Sequence, residues 1–266
     1  MGFSGHQFRL GRLFQSISGR SFITAMDHGV TLGVPDGMSD VPATVEKIIA
    51  GQPDGVLMGP GIFQKTSQLF AHREAPAVIL RSDFFVNHPY VDFHGEAYRT
   101  LITPEDAAIM GADAIIMFLM LGSGGKDMFA DNVHAVARFT QEAHKVGLPM
   151  IVEAVLWGSN IEEKKDPQRL AFCCRMAVEI GADAIKTEYT GDKSTMADVI
   201  NGTPAPVLVL GGTKSSSPGG LIQSTRDAMQ AGAKGVIYGR NVWQAEDPVS
   251  ISQDLRSVIH ATPAGA

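Results

Sequence analysis

The sequence contains little cysteine and no long apolar run. Only two of its 266 residues are cysteine, the adjacent Cys173 and Cys174, and this spacing matches neither a disulfide framework nor a metal-ligand pattern. The pair fits a reducing, cytoplasmic environment, and we expect both side chains in a packed core. No apolar run approaches the roughly 18 residues that a transmembrane helix needs, so we expect no membrane partner.

Basic residues are also in the minority. The chain has 22 Lys and Arg against 28 Asp and Glu, a net charge of -6, and the basic residues form no dense block. Nucleic acid is therefore not an expected partner. The 44% hydrophobic and 19% charged fractions are typical of a globular chain with a sizeable core.

Short apolar runs alternate with longer stretches of helical periodicity. The longest such stretch, residues 129–147, places apolar side chains on one stripe and stops at Gly147. Thr103 is a candidate N-cap for the preceding helix, over residues 103–111. Continuous apolar runs of this length are typical of parallel strands covered on both faces. There are eight: 22–26, 55–58, 77–80, 112–119, 149–154, 182–186, 206–210 and 235–238.

Eight such units in about 250 residues predict a single (β/α)8 TIM barrel over residues 1–266, with residues 1–21 as a segment before the first strand. The alternative, an open doubly wound sheet, needs a glycine-rich dinucleotide loop after its first strand, and MDHGVTLG (26–33) is not one. The long aromatic connection 81–99 is expected to lie over the C-terminal ends of the strands, where barrel active sites lie.

The loops after the last two predicted strands carry glycine and a cation. Barrels frequently bind phosphate there through backbone N–H groups. We therefore predict a phosphate site at Gly211, Gly212, Gly239 and Arg240, the alternative being that the glycines only make tight turns. His28 and Lys214 are candidates for orienting the substrate.

A lysine closes the sixth predicted strand. Strand alternation places Ala184, Lys186 and Glu188 on one face. An amine in a low-dielectric cavity loses proton affinity and can attack a ketone, so Lys186 is a candidate Schiff-base nucleophile, with a buried ion pair as the alternative. Asp27, at the end of the first strand, is a candidate partner that holds a proton or orients Lys186, although a simple turn aspartate would also fit.

Metal chemistry has little support in the sequence. His88, Asp92, His94 and Glu96 lie in one connection, but neither HxH nor HExxH spacing occurs. The predicted site therefore includes no metal and no cofactor.

Four motifs in order, AMDHG (25–29), GADAIKTEYTGD (181–192), VLGGTK (209–214) and GVIYGRNVWQAEDP (235–248), resemble the archaeal-type class I fructose-bisphosphate aldolases. Relatives in that family include 2-amino-3,7-dideoxy-heptulosonate synthase and the autoinducer-2 phosphate thiolase. The resemblance implies a barrel fold, a homo-oligomer that in many members is a decamer, and a phosphorylated sugar or ketone as substrate. It also implies that Lys186 is the Schiff-base lysine, that Asp27 is the aspartate of the DHG motif, and that the glycines and Arg240 bind phosphate.

One departure from the family concerns the proton donor. Family members carry Tyr-Pro-Arg-Gly after the fifth strand, whereas Val155, Leu156 and Trp157 stand here. Glu153, two residues earlier on the same strand face, is the candidate replacement. The sequence predicts a class I aldolase that acts on a phosphorylated ketose through a dihydroxyacetone-phosphate-like donor. A thiolase or transaldolase-like transferase on this scaffold is the alternative, and a non-catalytic phosphate-binding barrel is the third.

Overall fold

The computed structural model describes residues 3–86, 88–125, 127–215 and 217–261. The β-strands are β1 Ser21–Ala25, β2 Gly55–Met58, β3 Ala77–Arg81, β4 Asp83–Val86, β5 Ala97–Thr100, β6 Ala114–Met120, β7 Met150–Val155, β8 Ala184–Thr187, β9 Val207–Leu210 and β10 Gly235–Tyr238. The α-helices are α1 Phe3–Leu13, α2 Gly29–Leu32, α3 Val41–Ala50, α4 Pro60–Thr66, α5 Pro104–Ile109, α6 Met128–Lys145, α7 Pro167–Glu179, α8 Lys193–Asn201, α9 Pro218–Gln230, α10 Arg240–Trp243 and α11 Pro248–Ile259.

Eight of the strands close into a parallel barrel, in the order β1-β10-β9-β8-β7-β6-β3-β2. Each corresponds to one of the eight apolar runs, so the predicted (β/α)8 barrel is confirmed. Because helices cover the outside and side chains fill the inside, the strands are apolar on both faces.

Side chains of alternating positions fill the barrel interior. Ile23, Ile79, Ile151 and Ala184 form part of this inner core, and the residues two positions further along β3, β7 and β8 are Arg81, Glu153 and Lys186. Since alternation repeats every two residues, the same faces that pack the floor of the barrel carry charged groups at its C-terminal mouth.

The helix α1 closes the opposite end of the barrel. Leu13 is buried in the inner core, with Leu10 and Phe14 packed against it. Arg9 donates to the carbonyl of Gly147 at 2.9 Å, and Arg12 pairs with Asp113 at 2.8 Å. The chain before β1 is therefore a docked helix and the linker that follows it.

The long connection after β3 contains a hairpin that the apolar pattern did not predict. β4 and β5 pair antiparallel outside the barrel sheet, from Asp83 opposite Thr100 to Val86 opposite Ala97. Burial alternates along β4, with Asp83 and Phe85 buried and Phe84 and Val86 half-buried, which suits a strand with one covered face. Through Asp83, the hairpin reaches the mouth of the barrel.

Side-chain caps begin several of the helices. Thr103 and Asp106 form a reciprocal capping box at α5, as the sequence indicated for Thr103, and such a cap contributes about 1 kcal/mol. α6 ends at Lys145, two residues before the predicted stop at Gly147. Cys173 and Cys174 are buried in α7, as predicted. In the described part of the chain, no helix combines the length and apolarity needed to cross a bilayer.

Candidate active site

Lys186 and Glu153 lie side by side at the mouth of the barrel. β7 and β8 pair with these two residues opposite each other, so both side chains point inward from the same level. Lys186 Nζ lies 2.7 Å from Glu153 Oε1, and both side chains are buried. The sequence-based expectation that the Glu153 face of β7 points toward Lys186 is therefore correct.

Arg81, which sequence reasoning did not select, connects the carboxylates of this site. Its Nε donates to Asp27 Oδ2 at 2.8 Å and its Nη1 to Asp83 Oδ1 at 3.3 Å, while Nη2 donates to Glu153 Oε2. The guanidinium also lies 3.8 Å from the centre of the Phe118 ring. Glu153 thus bridges two cations, with one oxygen toward Lys186 and the other toward Arg81.

Asp83, which faces the Arg81 guanidinium, is fixed by burial and by a backbone hydrogen bond. It is fully buried, and its Oδ2 accepts the backbone N–H of Phe118 at 2.7 Å. Burial raises the pKa of Asp83 to about 7. The hairpin therefore places a carboxyl group behind Arg81 that fixes the guanidinium in the barrel.

Neighbouring charges lower the pKa of Asp27 and raise the pKa of Arg81. Burial alone would raise the pKa of Asp27, but Arg81, Lys186 and His28 outweigh it and hold that pKa at about 2. For Arg81, the pull of Glu153, Asp27 and Asp83 exceeds the effect of burial and raises its pKa further above the usual range. Asp27 and Arg81 are therefore both fully charged at neutral pH.

His28 forms one wall of the site. Its Nδ1 lies 3.8 Å from Asp27 Oδ1, and its ring packs edge-on against Trp243 at 5.3 Å between centroids. A Cβ at Gly239 would lie 2.3 Å from the His28 ring, so only glycine permits this packing. Burial lowers the pKa of His28, which favours a neutral imidazole at the mouth.

A cavity of about 480 Å³ adjoins the charged group. Trp157 lines this cavity and also the small pocket that contains Asp27, Glu153 and Lys186, so the two spaces meet at its ring. The far wall is formed by Gly211, Gly212 and Arg240. Of the predicted phosphate-binding residues, Gly211, Gly212 and Arg240 therefore line the cavity that adjoins the pocket of Lys186, whereas Gly239 packs against His28.

Gly211 and Gly212 in this wall are glycine for two different physical reasons. A Cβ at Gly211 would lie 2.8 Å from the Tyr238 ring, whereas Gly212 has a positive φ of 61° with open space around it. Asn241 holds the loop through bonds from Nδ2 to the Gly211 and Thr213 carbonyls at 2.8 and 3.2 Å. The Arg240 guanidinium is half-buried, burial lowers its pKa, and its Nε is a buried donor for which the described residues provide no partner.

Lys214 is the one predicted site residue that the structure does not bring to this group. Its Nζ donates to the carbonyl of Gln244 at 2.6 Å, and it lines a separate surface pocket with Pro218 and Asp254. The amine fastens the loop after β9 to the residue following α10. The prediction that Lys214 orients the substrate is therefore not supported by the position of its side chain.

Two further residues of the cavity were not selected from the sequence as site residues. Glu188 follows Lys186 on the same face of the chain, as alternation indicated, and its Oε1 accepts Trp157 Nε1 at 3.4 Å. Burial raises the pKa of Glu188. Its spacing from Lys186 was the available signal, whereas Trp157 was visible only as a departure from the family motif.

Comparisons with known proteins agree with this geometry. Residues 21–245 match the model of the DeoC/LacD family aldolases. An uncharacterized aldolase of Saccharolobus solfataricus is 34% identical over 259 residues, covering 96% of this chain and 94% of that protein. The 2-amino-3,7-dideoxy-D-threo-hept-6-ulosonate synthase of Halobacterium salinarum is 33% identical, covering 97% of this chain and 92% of its own.

A solved structure adds the chemistry of a neighbour. An archaeal fructose-1,6-bisphosphate aldolase, with its catalytic lysine covalently bound to the carbinolamine intermediate of the substrate, superposes with a TM-score of 0.81 at 25% identity, covering 95% of this chain and 98% of that one. The barrel, the inward lysine and the extent of these matches lead to one assignment. The chain belongs to the DeoC/LacD aldolase family and is a class I, Schiff-base aldolase of that family.

Proposed function

We propose that this enzyme makes or cleaves a carbon–carbon bond in a phosphorylated ketose, through a donor that resembles dihydroxyacetone phosphate. Lys186 is the nucleophile, Glu153 transfers protons, Asp27 stabilises positive charge, and Arg240 with Gly211, Gly212 and Gly239 holds the phosphate. His28 orients the substrate. The proposal rests chiefly on one observation, the 2.7 Å contact between Lys186 and Glu153 at the edge of a cavity walled by Arg240.

The amine and the carboxylate form a pair suited to imine chemistry. Attack on a ketone requires a neutral amine, and Glu153 lies close enough to accept the proton directly. Arg81 compensates the charge of Glu153 from its other side, and this balances a buried carboxylate that would otherwise strongly favour the ammonium. Loss of water from the resulting carbinolamine gives an iminium on Lys186.

Cleavage uses the iminium as an electron sink. A base removes the proton of the hydroxyl two carbons from the iminium carbon, the carbon–carbon bond breaks, and its electron pair moves toward the nitrogen. The aldehyde leaves and an enamine stays on Lys186. Protonation of the enamine carbon and hydrolysis then release the shorter ketone and the free amine.

Of the two nearby carboxylates, Glu153 is assigned the proton transfer. Asp27 has a pKa of about 2, which makes it a weak base at neutral pH. Its interaction with Arg81 and its contribution to the field at Lys186 suit a group that stabilises the iminium charge.

The phosphate would be held on the far wall of the cavity. The guanidinium of Arg240 can bind phosphate oxygens with two N–H groups, and the open left-handed backbone at Gly212 allows close approach. With the phosphate anchored there, the ketone carbon is directed past Trp157 toward Lys186, so binding energy at one end positions the reaction at the other.

The test is a substrate panel. Phosphorylated ketoses of different chain lengths are assayed for release of an aldehyde, each beside its unphosphorylated analogue and each with and without coenzyme A. We expect cleavage of at least one phosphorylated ketose, with the analogue poorer by roughly 10- to 100-fold in kcat/KM, as the loss of a charge-assisted contact implies. Turnover only with coenzyme A would contradict the aldolase proposal and indicate the thiolase. No turnover of any ketose in the panel would contradict the proposed substrate class.

Two other predictions made from the sequence stay predictions. A homo-oligomer, as large as a decamer, is checked by light scattering coupled to gel filtration, and a monomer would contradict it. The cytoplasmic location is checked by fractionation of the source cells.

A further inference from the structure

A second polar cluster lies at the opposite end of the barrel from Lys186. His6 comes from α1, His144 from the last turn of α6, and Asp183 from the loop just before β8. Nitrogen and oxygen atoms of these three side chains all lie within 4.8 Å of one another. In the part of the chain that the structure describes, this is the one group of three or more potential metal ligands at such distances.

The two imidazoles converge on a single carboxylate. His6 Nε2 lies 2.9 Å from Asp183 Oδ1, and His144 Nε2 lies 2.8 Å from Asp183 Oδ2. The rings stand edge to face, with centroids 5.1 Å apart. Around a tetrahedral zinc ion, donors at 2.0–2.2 Å from the metal are about 3.3 Å apart. The two nitrogen–oxygen separations end on different oxygens of Asp183 and are about 0.5 Å shorter than that spacing, so an ion bound here would replace both contacts and move the three side chains slightly apart.

The carboxylate is already oriented by the backbone. Asp183 Oδ2 accepts the N–H of Met150 at 2.7 Å, a second contact of the kind that fixes metal-binding carboxylates. Oδ1 is thereby directed at His6. Although it is near Oδ1, the buried His6 Nε2 makes no hydrogen bond of good geometry within the described residues. A cation that binds both atoms, once they have moved slightly apart, would supply the partner that this nitrogen lacks.

Two imidazoles and one carboxylate are a ligand set for a borderline transition ion, whereas magnesium and calcium prefer oxygen ligands. All three side chains are only partly buried, so an ion can enter from solvent and a water can fill its remaining position. The ligands come from three distant parts of the chain, and spacing motifs in the sequence therefore give no sign of them.

We propose that His6, His144 and Asp183 form a zinc-type metal site that fastens α1 across the closed end of the barrel. Asp183 precedes β8 and Lys186 lies near the other end of that strand, so this ion takes no part in the aldol chemistry. Its effect is on stability, because an ion bound only to the folded state shifts the unfolding equilibrium.

The experiment uses the chelator-treated full chain and Zn²⁺ alone, at neutral pH. We expect one tightly bound equivalent by calorimetry and a Tm that rises by several degrees once free zinc exceeds Kd about 100-fold. Mg²⁺ at the same concentration should leave Tm unchanged. His6→Asn and His144→Asn should each weaken binding of that equivalent by more than about 100-fold.

His260→Asn is the matched control. His260 is also at the closed end, with Nε2 at 3.0 Å from Asp54 Oδ2, but it faces one carboxylate without a second imidazole in the cluster. This variant should keep the zinc equivalent and the Tm rise. If His6→Asn releases α1 and fails to fold, His144→Asn decides the question. A wild-type chain without the zinc-dependent Tm rise, or variants that keep it, would overturn the proposal.

Discussion

Arg81 and Arg12 both pair with carboxylates, but at opposite ends of the barrel. Arg81 is 2% exposed and contacts three carboxylates, whereas Arg12 is 39% exposed and, among the residues that the structure describes, pairs with one carboxylate, that of Asp113. At the closed end, the charged groups attach α1 to the barrel. At the open end, the charged groups are buried together, so the charge of each is balanced by the opposite charge of its neighbours. The two ends therefore differ in burial, which is high around the proposed reactive site and lower where α1 is attached to the barrel.

The largest expected effect at the open end is that of Glu153→Gln. This change keeps the shape of the side chain and removes its ability to accept a proton from Lys186. We expect kcat to fall by roughly 10²- to 10⁴-fold. The Lys186 adduct should form more slowly, because the amine loses its proton acceptor, but borohydride should still trap it after long incubation. A glutamine variant with near-normal kcat would remove Glu153 from the mechanism and make Asp27 the leading acid–base candidate.

Arg81→Met should destabilise the protein far more than the corresponding change at the closed end. Removing the guanidinium leaves Asp27, Asp83 and Glu153 buried without their main counter-charge, and breaking such a group costs about 3–5 kcal/mol. Arg12→Met is the matched control, because an exposed pair contributes about 0–1 kcal/mol. Urea unfolding of both variants measures the two losses. Equal losses would contradict the distinction between the ends.

Arg240→Ala should affect binding more than chemistry. The expected result is a KM for the phosphorylated substrate that rises roughly 10- to 100-fold, with a smaller change in kcat. Steady-state kinetics with the phosphorylated substrate and its unphosphorylated analogue separate the two roles. If both substrates lose activity equally, Arg240 is a structural residue of the loop.

Acid should reveal the charge that Arg81 stabilises on Asp27. The pKa of Asp27 falls from 3.8 to about 2 on folding, so its contribution of about 2 kcal/mol is present above pH 3.8 and disappears as the pH falls toward 2. Urea midpoints of the wild type and Asp27→Asn should therefore differ most at neutral pH and converge toward pH 2. A difference that is independent of pH would show that Asp27 acts through its shape instead.

Much of the open end was predictable, because strand alternation is a local rule. It placed Lys186 and Glu153 on inward faces, and the glycines after β9 together with Arg240 after β10 marked the wall of the cavity. Arg81 was not predicted, since an arginine after an apolar run also reads as the first residue of a loop. Only closure of the barrel shows that the ends of β1, β3 and β7 converge on it.

The closed end was much less predictable, because no local rule of the sequence specifies its contacts. Its contacts join α1, α6 and the start of β8, which are far apart along the chain. The sequence before β1 has no strand signal, and the helix there depends on the interior that Leu13 enters. Tertiary packing, more than local propensity, determines such a segment.

Borohydride reduction tests most directly whether Lys186 forms the imine. The enzyme is incubated with the ketone that the substrate panel identifies, reduced with borohydride, digested, and its peptides are weighed by mass spectrometry. We expect one adduct per chain, on the peptide that contains Lys186, and none in Lys186→Arg. An adduct on another lysine, or substrate cleavage without any adduct, would contradict this role of Lys186.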